Sequence, residues 1–535
     1  MTRLVVPVFG DSILDIRNDF DAAIRAGADV VELRLDMISE VSDDELRTLV
    51  KDLPESVAIL LTYRSIEEGG ESPATDAERL QRLSALGPMA TYIDIELATW
   101  DRVESNRQVG RGALRRADAV SQSGGIEVIE GASPRHLVLS KHDLKDRPPG
   151  LLSDLLKMSQ VEECAVAKLA WRCRSVRDNF EAFELMRSGP LPTVAICMGE
   201  DGLLSRILAP KFGGFATYAS LRTGLETAPG QIVVRELLDR YRWRAINNAT
   251  RVFGVVGDPV RHSLGPDVHN AAFAEAGIDA VYVPFRVNPG YESFKAFMLE
   301  VVARPWLDLH GLSITAPHKG NAFRFLTEQG AEIDDPGRRA KAVNTIGLAA
   351  DGSLRGWNTD CAAILSSLRG VLRGGESLQG KRVLLLGAGG VARAALVALE
   401  GHGAELSIAN RTHEQAASLA GEFGSGIVDW EARETFDADV VIQCTPVGQA
   451  PDVGSSLMPS DCVREETTYF DTVYNPPETK LIGDARQRGA RVIDGLTLFS
   501  HQAAAQLQAW LGKSLPPLFY RGAAEQALSR RGETR

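Results

Sequence analysis

Lys168 stands inside the apolar run Ala165-Val166-Ala167-Lys168-Leu169-Ala170-Trp171. An unpaired ammonium there is costly. A lysine among apolar groups and near cations loses its proton readily. Its neutral amine attacks a ketone to give a Schiff base, an electron sink that acidifies the neighbouring C–H. His142 lies two residues past Ser140, at the end of Leu137-Val138-Leu139. It could take that proton and return one to a leaving hydroxyl, with Glu96 orienting the imidazole. In the run Val30 to Asp36, period two puts Glu32, Arg34 and Asp36 on one face, and Leu33 and Leu35 on the other. Thr62-Tyr63-Arg64 closes another apolar run, and Asp94 and Glu96 alternate with Ile93, Ile95 and Leu97. Arginines of this kind hold a carboxylate bidentately. One ion pair is often structural, and one histidine is more often a satisfied polar group. The same placement on five runs points to a site.

A second set lies further on. Val383-Leu384-Leu385-Leu386 runs into Gly387-Ala388-Gly389-Gly390-Val391-Ala392. A strand, a Gly-rich turn and a helix N-terminus suit a pyrophosphate, although such turns also serve packing. The next apolar run ends in Asn410-Arg411-Thr412. An acid there would take a ribose 2′-hydroxyl, whereas arginine suits a 2′-phosphate, so the reading is NADP. Ahead of this turn, Thr315-Ala316-Pro317-His318-Lys319, Asn344-Thr345 and Asn358-Thr359-Asp360 fall in separate loops. Together they suit a polyhydroxylated ring, with lysine moving a proton on and off an oxygen. Each alone also fits turn chemistry.

Regular elements must hold these groups. Short β-type runs recur at Leu4–Val8, Val30–Leu35, Val57–Thr62, Thr91–Leu97, His136–Ser140, Ala165–Ala170, Thr193–Met198 and Phe215–Ala219. Charged, helix-friendly segments separate most of them. Eight such strands predict a (β/α)8 barrel, whose active site lies where the strands' carboxyl ends converge. Thr99–Pro134 is polar and Gly-rich, with space for an extra helix. The pattern restarts at Val252–Val256 after a joint at Glu236–Asn248, and again at Arg382–Leu386. Leu496–Leu511 reads as a helix and Ser529–Arg535 as a frayed tail. The expected organisation is a barrel over 1–240, a second α/β domain over 241–360 completed by 496–535, and a Rossmann-like domain over 361–495.

Composition agrees with a soluble, multidomain α/β chain of 535 residues. Asp plus Glu number 71 against 59 Lys plus Arg, a net charge of −12 that argues against sequence-independent nucleic-acid binding. The six cysteines, at 164, 173, 197, 361, 444 and 462, lack zinc or disulfide-framework spacing. No metal site is expected. A reducing cytoplasmic compartment is, since Met1–Gly10 is no signal peptide and no run approaches a membrane span.

The order E-L-R, T-Y-R, D-I-E, S-K-H-D, A-K-L, M-G-E-x-G-x-x-S-R and A-P-G-Q over residues 1–235 resembles the type I 3-dehydroquinate dehydratases. The resemblance implies Lys168 as Schiff-base residue and His142 as general acid/base with Glu96 behind it. It also implies Glu32, Arg34, Arg64, Arg206, Thr227 and Gln231 as substrate contacts; many members have Ser where Thr227 stands. Residues 251–520 resemble shikimate dehydrogenase, through G-D-P-V-x-H-S, P-H-K, A-V-N-T, N-T-D, G-A-G-G, N-R-T, C-T-P-V-G and D-G-L…Q. That implies Lys319 paired with Asp360 as catalytic groups. Ser263, Thr315, Asn344, Tyr474 and Gln502 would bind substrate. Gly387, Ala388, Gly389, Gly390, Val391, Ala392, Asn410, Arg411, Thr412 and Gly495 would bind NADP. The two resemblances together imply a bifunctional enzyme of the shikimate pathway that turns 3-dehydroquinate into 3-dehydroshikimate and then shikimate.

One departure bears on specificity. The dehydrogenase pattern H-S-x-S-P stands here as His262-Ser263-Leu264-Gly265-Pro266. The missing hydroxyl is expected to leave room beside the ring carbon that bears the carboxylate. Quinate turnover is therefore one alternative, unless water or a backbone N–H fills the gap. A non-enzymatic metabolite sensor is the other, though a binder needs no complete set of Lys168, His142, Lys319 and Asp360.

Overall fold

The computed structural model describes all residues except 39, 53, 55–56, 115–136, 350, 372–376, 514 and 534–535. The chain forms two compact units, Met1–Thr250 and Arg251–Arg535. Among the described residues, no helix is long and apolar enough to cross a membrane.

The first unit is a curled parallel sheet wrapped in helices. Its strands are β1 (Arg3–Val8), β2 (Val30–Arg34), β3 (Ala58–Thr62), β4 (Tyr92–Glu96), β5 (Leu137–Asp143), β6 (Cys164–Arg172), β7 (Thr193–Met198), β8 (Ala216–Ser220) and the short β9 (Ile232–Val233). They run in the order β7-β6-β5-β4-β3-β2-β1-β8-β9. The Phe215 N–H donates to the Thr193 carbonyl at 2.9 Å, which brings β7 to β8 and curls the sheet round.

The alternation of strand side chains explains where the charges go. Val5, Val30, Leu60, Val138, Val166, Val194, Ala216 and neighbouring residues form one apolar cluster inside the sheet. Two positions further along the same face stand Glu32, Thr62, Ser140, Lys168 and Tyr218. A dry apolar layer thus forms the floor, and a polar layer sits on it at the carboxyl ends of the strands. Leu97–Leu114 is a helix following β4. The rest of the expected helical insertion, 115–134, lies outside the described residues.

The second unit holds two sheets. β10 (Arg251–Gly257), β11 (Ala280–Arg286), β12 (Leu309–Ile314), β13 (Glu332–Ile333), β14 (Thr345–Leu348) and β15 (Leu354–Trp357) form one, in the order β11-β10-β12-β14-β15-β13. Here β14 runs antiparallel to both its neighbours. β16 (Arg382–Leu386), β17 (Glu405–Ala409), β18 (Gly426–Ile427), β19 (Val440–Gln443), β20 (Thr468–Asp471) and β21 (Arg491–Ile493) form a wholly parallel sheet, ordered β18-β17-β16-β19-β20-β21. Helix Gly495–Leu511 contributes Leu498 to the core of this parallel sheet, and Leu496, Ala503, Ala504 and Leu507 to that of the other. Part of the expected frayed tail is corrected: helix Pro517–Glu533 takes in its residues up to 533, while 534–535 lie outside the described residues. The helix is anchored earlier by Tyr520, Ala524 and Ala527, buried in the same core as Phe253 and Tyr282.

Candidate active sites

In the first unit, one cavity of about 540 Å³, its open mouth included, is lined by Glu32, Arg34, Arg64, Glu68, His142, Lys168, Arg206, Tyr218, Thr227 and Gln231. The fold therefore brings together every candidate of the barrel set except Glu96, which lies behind the wall. Lys168 Nζ donates to Asp94 Oδ2 at 3.2 Å, stands 3.8 Å from Glu32 Oε1 and sits 4.3 Å above the Tyr218 ring. Burial lowers the Lys168 pKa and outweighs the pull of Asp94 and Glu32 in the other direction, while the Arg64 charge assists burial. Asp94 behaves oppositely. Burial would raise its pKa, but the Arg64 and Lys168 charges hold it below the usual carboxylate range.

Arg64 is spent inside the site. Its Nη2 donates to Asp94 at 2.9 Å and its Nη1 to Ser140 Oγ at 2.7 Å. Arg34 likewise forms a two-pronged pair with Asp36, at 3.0 and 2.7 Å. Arg206 is different. It is 1% exposed, and its Nε and Nη2 find no hydrogen-bond partner among the described residues. Burial brings its pKa down to about 10. A buried cation with free N–H groups on a cavity wall is a receptor for an anion.

The orientation of His142 needs a correction. The carboxylate that holds it belongs to Glu68, not Glu96. Glu68 Oε2 lies 2.9 Å from His142 Nδ1 and accepts the His142 backbone N–H at 2.9 Å. Glu96 instead accepts from the Ser65 N–H at 2.7 Å and from Arg79 Nη1 at 3.1 Å. Burial raises Glu68 to about 7, against the opposing charge of Arg64. His142 is held neutral, first by burial and then by Arg64 and Lys168. Glu68 sits in the short turn Ile66–Glu68 that follows β3, outside any strand, so alternation gives no sign of it. The signal available was the Gly69-Gly70 pair directly after it, which marks a tight return of the chain. Thr227 and Gln231 meet each other: the Thr227 N–H donates to Gln231 Oε1 at 2.8 Å.

In the second unit, Lys319 Nζ donates to Asp360 Oδ2 at 2.6 Å. Lys319 opens the helix Lys319–Glu328, and Asp360 lies in the first turn of Thr359–Val371. Asn344 is fully buried and braces that turn: its Nδ2 donates to Thr359 Oγ1 at 3.0 Å, and its Oδ1 accepts the Thr359 N–H at 2.8 Å. Thr315 is half-buried, just beyond the end of β12. Ser263 Oγ accepts the Gly265 N–H at 3.1 Å. Tyr474 packs on Phe499 at 5.2 Å, and Gln502 is half-buried on helix Gly495–Leu511.

Gly265 does not open the space expected of it. A Cβ there would stand 2.9 Å from Tyr282 Cε1 and 3.2 Å from the Tyr282 hydroxyl. That hydroxyl donates to Ser313 Oγ at 2.6 Å, and Ser313 donates on to Gln506 at 2.9 Å. A tyrosine thus fills the place of the missing serine, and a buried network fixes it.

The parallel sheet offers the anion-binding turn. Gly387 takes φ 113°, which favours glycine, and lets β16 turn into helix Gly390–Leu399. Nothing lies within 4 Å of a Cβ built at Gly389 or Gly390, so a ligand can approach the backbone there. Ala388 and Val391 are half-buried and Ala392 is buried beneath the turn. Leu386 pairs with Ala409, which sets Asn410, Arg411 and Thr412 at the same edge; Arg411 and Thr412 are exposed. Gly495 passes close to the backbone, where a Cβ would meet the Val473 carbonyl at 2.1 Å. Open N–H groups beside an exposed arginine fit a phosphorylated dinucleotide.

The chain thus carries two sites of different kinds: a barrel cavity with a buried lysine whose proton burial loosens, and a two-sheet unit with a Lys–Asp pair and a glycine turn fit for a nucleotide. Residues 4–248 match the type I 3-dehydroquinase family, 255–346 the shikimate dehydrogenase substrate binding domain, and 371–458 the shikimate / quinate 5-dehydrogenase family. The chain is 32% identical over 534 residues to the chloroplastic bifunctional 3-dehydroquinate dehydratase/shikimate dehydrogenase of Arabidopsis thaliana, covering 97% of this chain and 83% of that protein. It is 36% identical to the NADP(+) shikimate dehydrogenase of Methanosarcina mazei, over 50% of this chain and 95% of that one. A crystal structure of the Thermus thermophilus shikimate 5-dehydrogenase with NADP(H) and shikimate matches at 32% identity and a TM-score of 0.46, covering 52% of this chain and 99% of that one. The chain belongs to the family of bifunctional 3-dehydroquinate dehydratase/shikimate dehydrogenases, shikimate-pathway enzymes that join a lyase to an oxidoreductase.

The Glu96–Arg79 pair generates a stability prediction. Both side chains are nearly inaccessible, at 2% and 4%. Arg79→Ala would leave Glu96 with one fewer cation in a dry site, a loss of about 3 kcal/mol in urea unfolding of the full chain. A loss below about 1 kcal/mol would mean that Arg64 alone suffices for Glu96.

Proposed function

We propose that the first unit dehydrates 3-dehydroquinate through an iminium on Lys168, and that the second reduces the resulting 3-dehydroshikimate to shikimate with NADPH. The observation that carries the first half is one cavity holding an amine whose proton is loosened, a neutral imidazole and an unspent arginine. Arg206 takes the substrate carboxylate, because Arg34 and Arg64 are already engaged by Asp36 and Asp94. Lys168 attacks the ketone carbon and water leaves, giving the iminium. His142 removes a proton from the carbon next to it. The resulting enamine expels the β-hydroxyl, which leaves as water with the proton that His142 returns. Hydrolysis of the product iminium restores the Lys168 amine. Thr227 and Gln231 close over the ring hydroxyls, and Glu32 faces the same space.

Glu68 sets which nitrogen of His142 is the base. Ionised, it accepts the Nδ1 proton and leaves the Nε2 lone pair free. Protonated, it donates to Nδ1 and puts the proton on Nε2. Its carboxyl titrates at about 7, so the base form rises with pH through that point.

In the second unit, a nicotinamide dinucleotide held at the Gly387–Ala392 turn would supply the hydride. Lys319 gives the proton to the carbonyl oxygen as it becomes a hydroxyl, and Asp360 holds the ammonium in place at 2.6 Å. Ser263, Thr315, Asn344, Tyr474 and Gln502 orient the ring. Gly387 to Ala392, Asn410 to Thr412 and Gly495 receive the dinucleotide, with Arg411 on its 2′-phosphate. The six cysteines are all free, which supports a reducing, cytoplasmic setting.

Three outcomes test this reading. Lys168→Ala should abolish dehydration of 3-dehydroquinate, by at least about 10⁴-fold, and leave NADP-linked shikimate oxidation intact; Lys319→Ala should do the reverse. Dehydration persisting in Lys168→Ala would sink the iminium. The dehydratase kcat/KM should climb with pH through about 7 in the parent chain. Glu68→Gln should remove that step and lower kcat on the order of tenfold; an unchanged profile would return the role to Glu96. Because Tyr282 fills the space at Gly265, quinate should be oxidised at least about tenfold more slowly than shikimate. Comparable rates would revive the broader substrate range.

A further inference from the structure

Helix Pro517–Glu533 reaches the dehydrogenase site from behind. It is pinned near its start by Arg521, whose Nη1 and Nη2 donate to the two oxygens of Asp494 at 2.8 and 2.9 Å. Asp494 is the N-cap of the helix that carries Gly495 and Gln502. About three turns later, Arg531 extends over the other side of the site. Its Nη1 donates to the His262 carbonyl at 2.7 Å. Its Nη2 donates to the Ser263 carbonyl at 3.1 Å and to Asp267 Oδ2 at 2.8 Å. Asp267 lies in the first turn of helix Gly265–Glu275.

One planar guanidinium therefore joins the loop before that helix to the helix itself. Its fork geometry meets three acceptors at once, which an ammonium does poorly. Ser263 is held from two sides, its carbonyl by Arg531 and its hydroxyl by the Gly265 N–H at 3.1 Å. The Asp267 side chain is 8% exposed, so its pair with Arg531 is shielded from solvent on one side.

We propose that Arg531 is a positioning residue of the dehydrogenase, one that fixes the His262–Asp267 segment so that the Ser263 hydroxyl meets the ring substrate. This rests on the reading of Ser263 as a substrate contact. Arg531 directs its hydrogen bonds to this segment and so acts through Ser263 rather than as a catalytic residue. Without it, the loop gains freedom that the substrate must remove on binding, while the nucleotide turn on the other sheet is untouched. The effect is confined to one substrate.

The test uses the full chain, assayed for shikimate oxidation with NADP+ and, separately, for dehydration of 3-dehydroquinate. Arg531→Ala should raise the shikimate KM on the order of tenfold, with the NADP+ KM within about twofold and dehydration unchanged. Arg531→Lys should recover only part of the KM, and Asp267→Asn, which keeps both carbonyl contacts, should cost less than Arg531→Ala. The proposal is overturned if both KM values rise together or if kcat falls alone, the marks of a general loosening. It is also overturned if Arg531→Ala changes nothing while Ser263→Ala raises the shikimate KM. If Ser263→Ala leaves that KM unchanged, the reading of Ser263 is what fails. Should Arg531→Ala not fold, the lysine variant decides: a full recovery of the KM would show that charge, not the fork, is what the loop needs.

Discussion

In the proposed dehydration, an amine that must be neutral enough to attack and charged enough to become an iminium cation needs a contradictory environment. The barrel resolves the contradiction by depth. Lys168 projects from β6 just above the apolar floor, where burial strips its ammonium of water and loosens the proton. Asp94 and Glu32 stand 3.2 and 3.8 Å away and pull in the other direction. Every other charge near the mouth is then constrained, since a carboxylate or guanidinium left unmatched in so dry a place costs several kcal/mol. Arg64 answers Asp94, Arg34 answers Asp36, and Arg79 answers Glu96. Among the described residues, Arg206 stays unmatched on the cavity wall, where the proposed reading puts the substrate carboxylate.

The second unit solves an easier problem with more exposed parts. Lys319 keeps 26% of its side chain in contact with solvent, so its ammonium is not stripped. In the proposed reduction it moves a proton rather than an electron pair and has no need to be. Precision matters more there, and it comes from buried amides and hydroxyls: Asn344 bracing Thr359, and Tyr282 linked through Ser313 to Gln506. These neutral networks fix geometry without paying the desolvation cost that the barrel's charges carry.

This difference explains what could be read from the sequence. Strands of a parallel sheet are buried on both faces, so the eight runs of the first unit stood out, and a lysine inside one of them stood out further. Lys319, Asp360 and the glycine turn were legible as local motifs. Glu68 was not, because a 3₁₀ turn has no period to break, and Glu67 beside it looks equally placed. The consequence of Gly265 is not legible for another reason. Whether a missing side chain leaves a hole depends on what packs there, and Tyr282 comes from a strand 17 residues away. Arg531 was hidden most deeply. A polar tail gives no local sign that its guanidinium will meet carbonyls 268 and 269 residues earlier.

The same carboxylates that oppose the loosening of the Lys168 proton would also serve the proposed reaction once it has begun. The iminium carries a positive charge at Nζ, and losing its N–H proton would leave a neutral imine, a weaker electron sink. Asp94 is held ionised by the Arg64 and Lys168 charges, with Ser140 assisting, so it would be present as an anion to keep that proton on Nζ. Stronger burial without Asp94 would make a better nucleophile and a worse intermediate. A closer carboxylate would do the opposite. The observed 3.2 Å contact, shared with Arg64 rather than given wholly to Lys168, suits the compromise that the proposed two-stage reaction on one nitrogen requires.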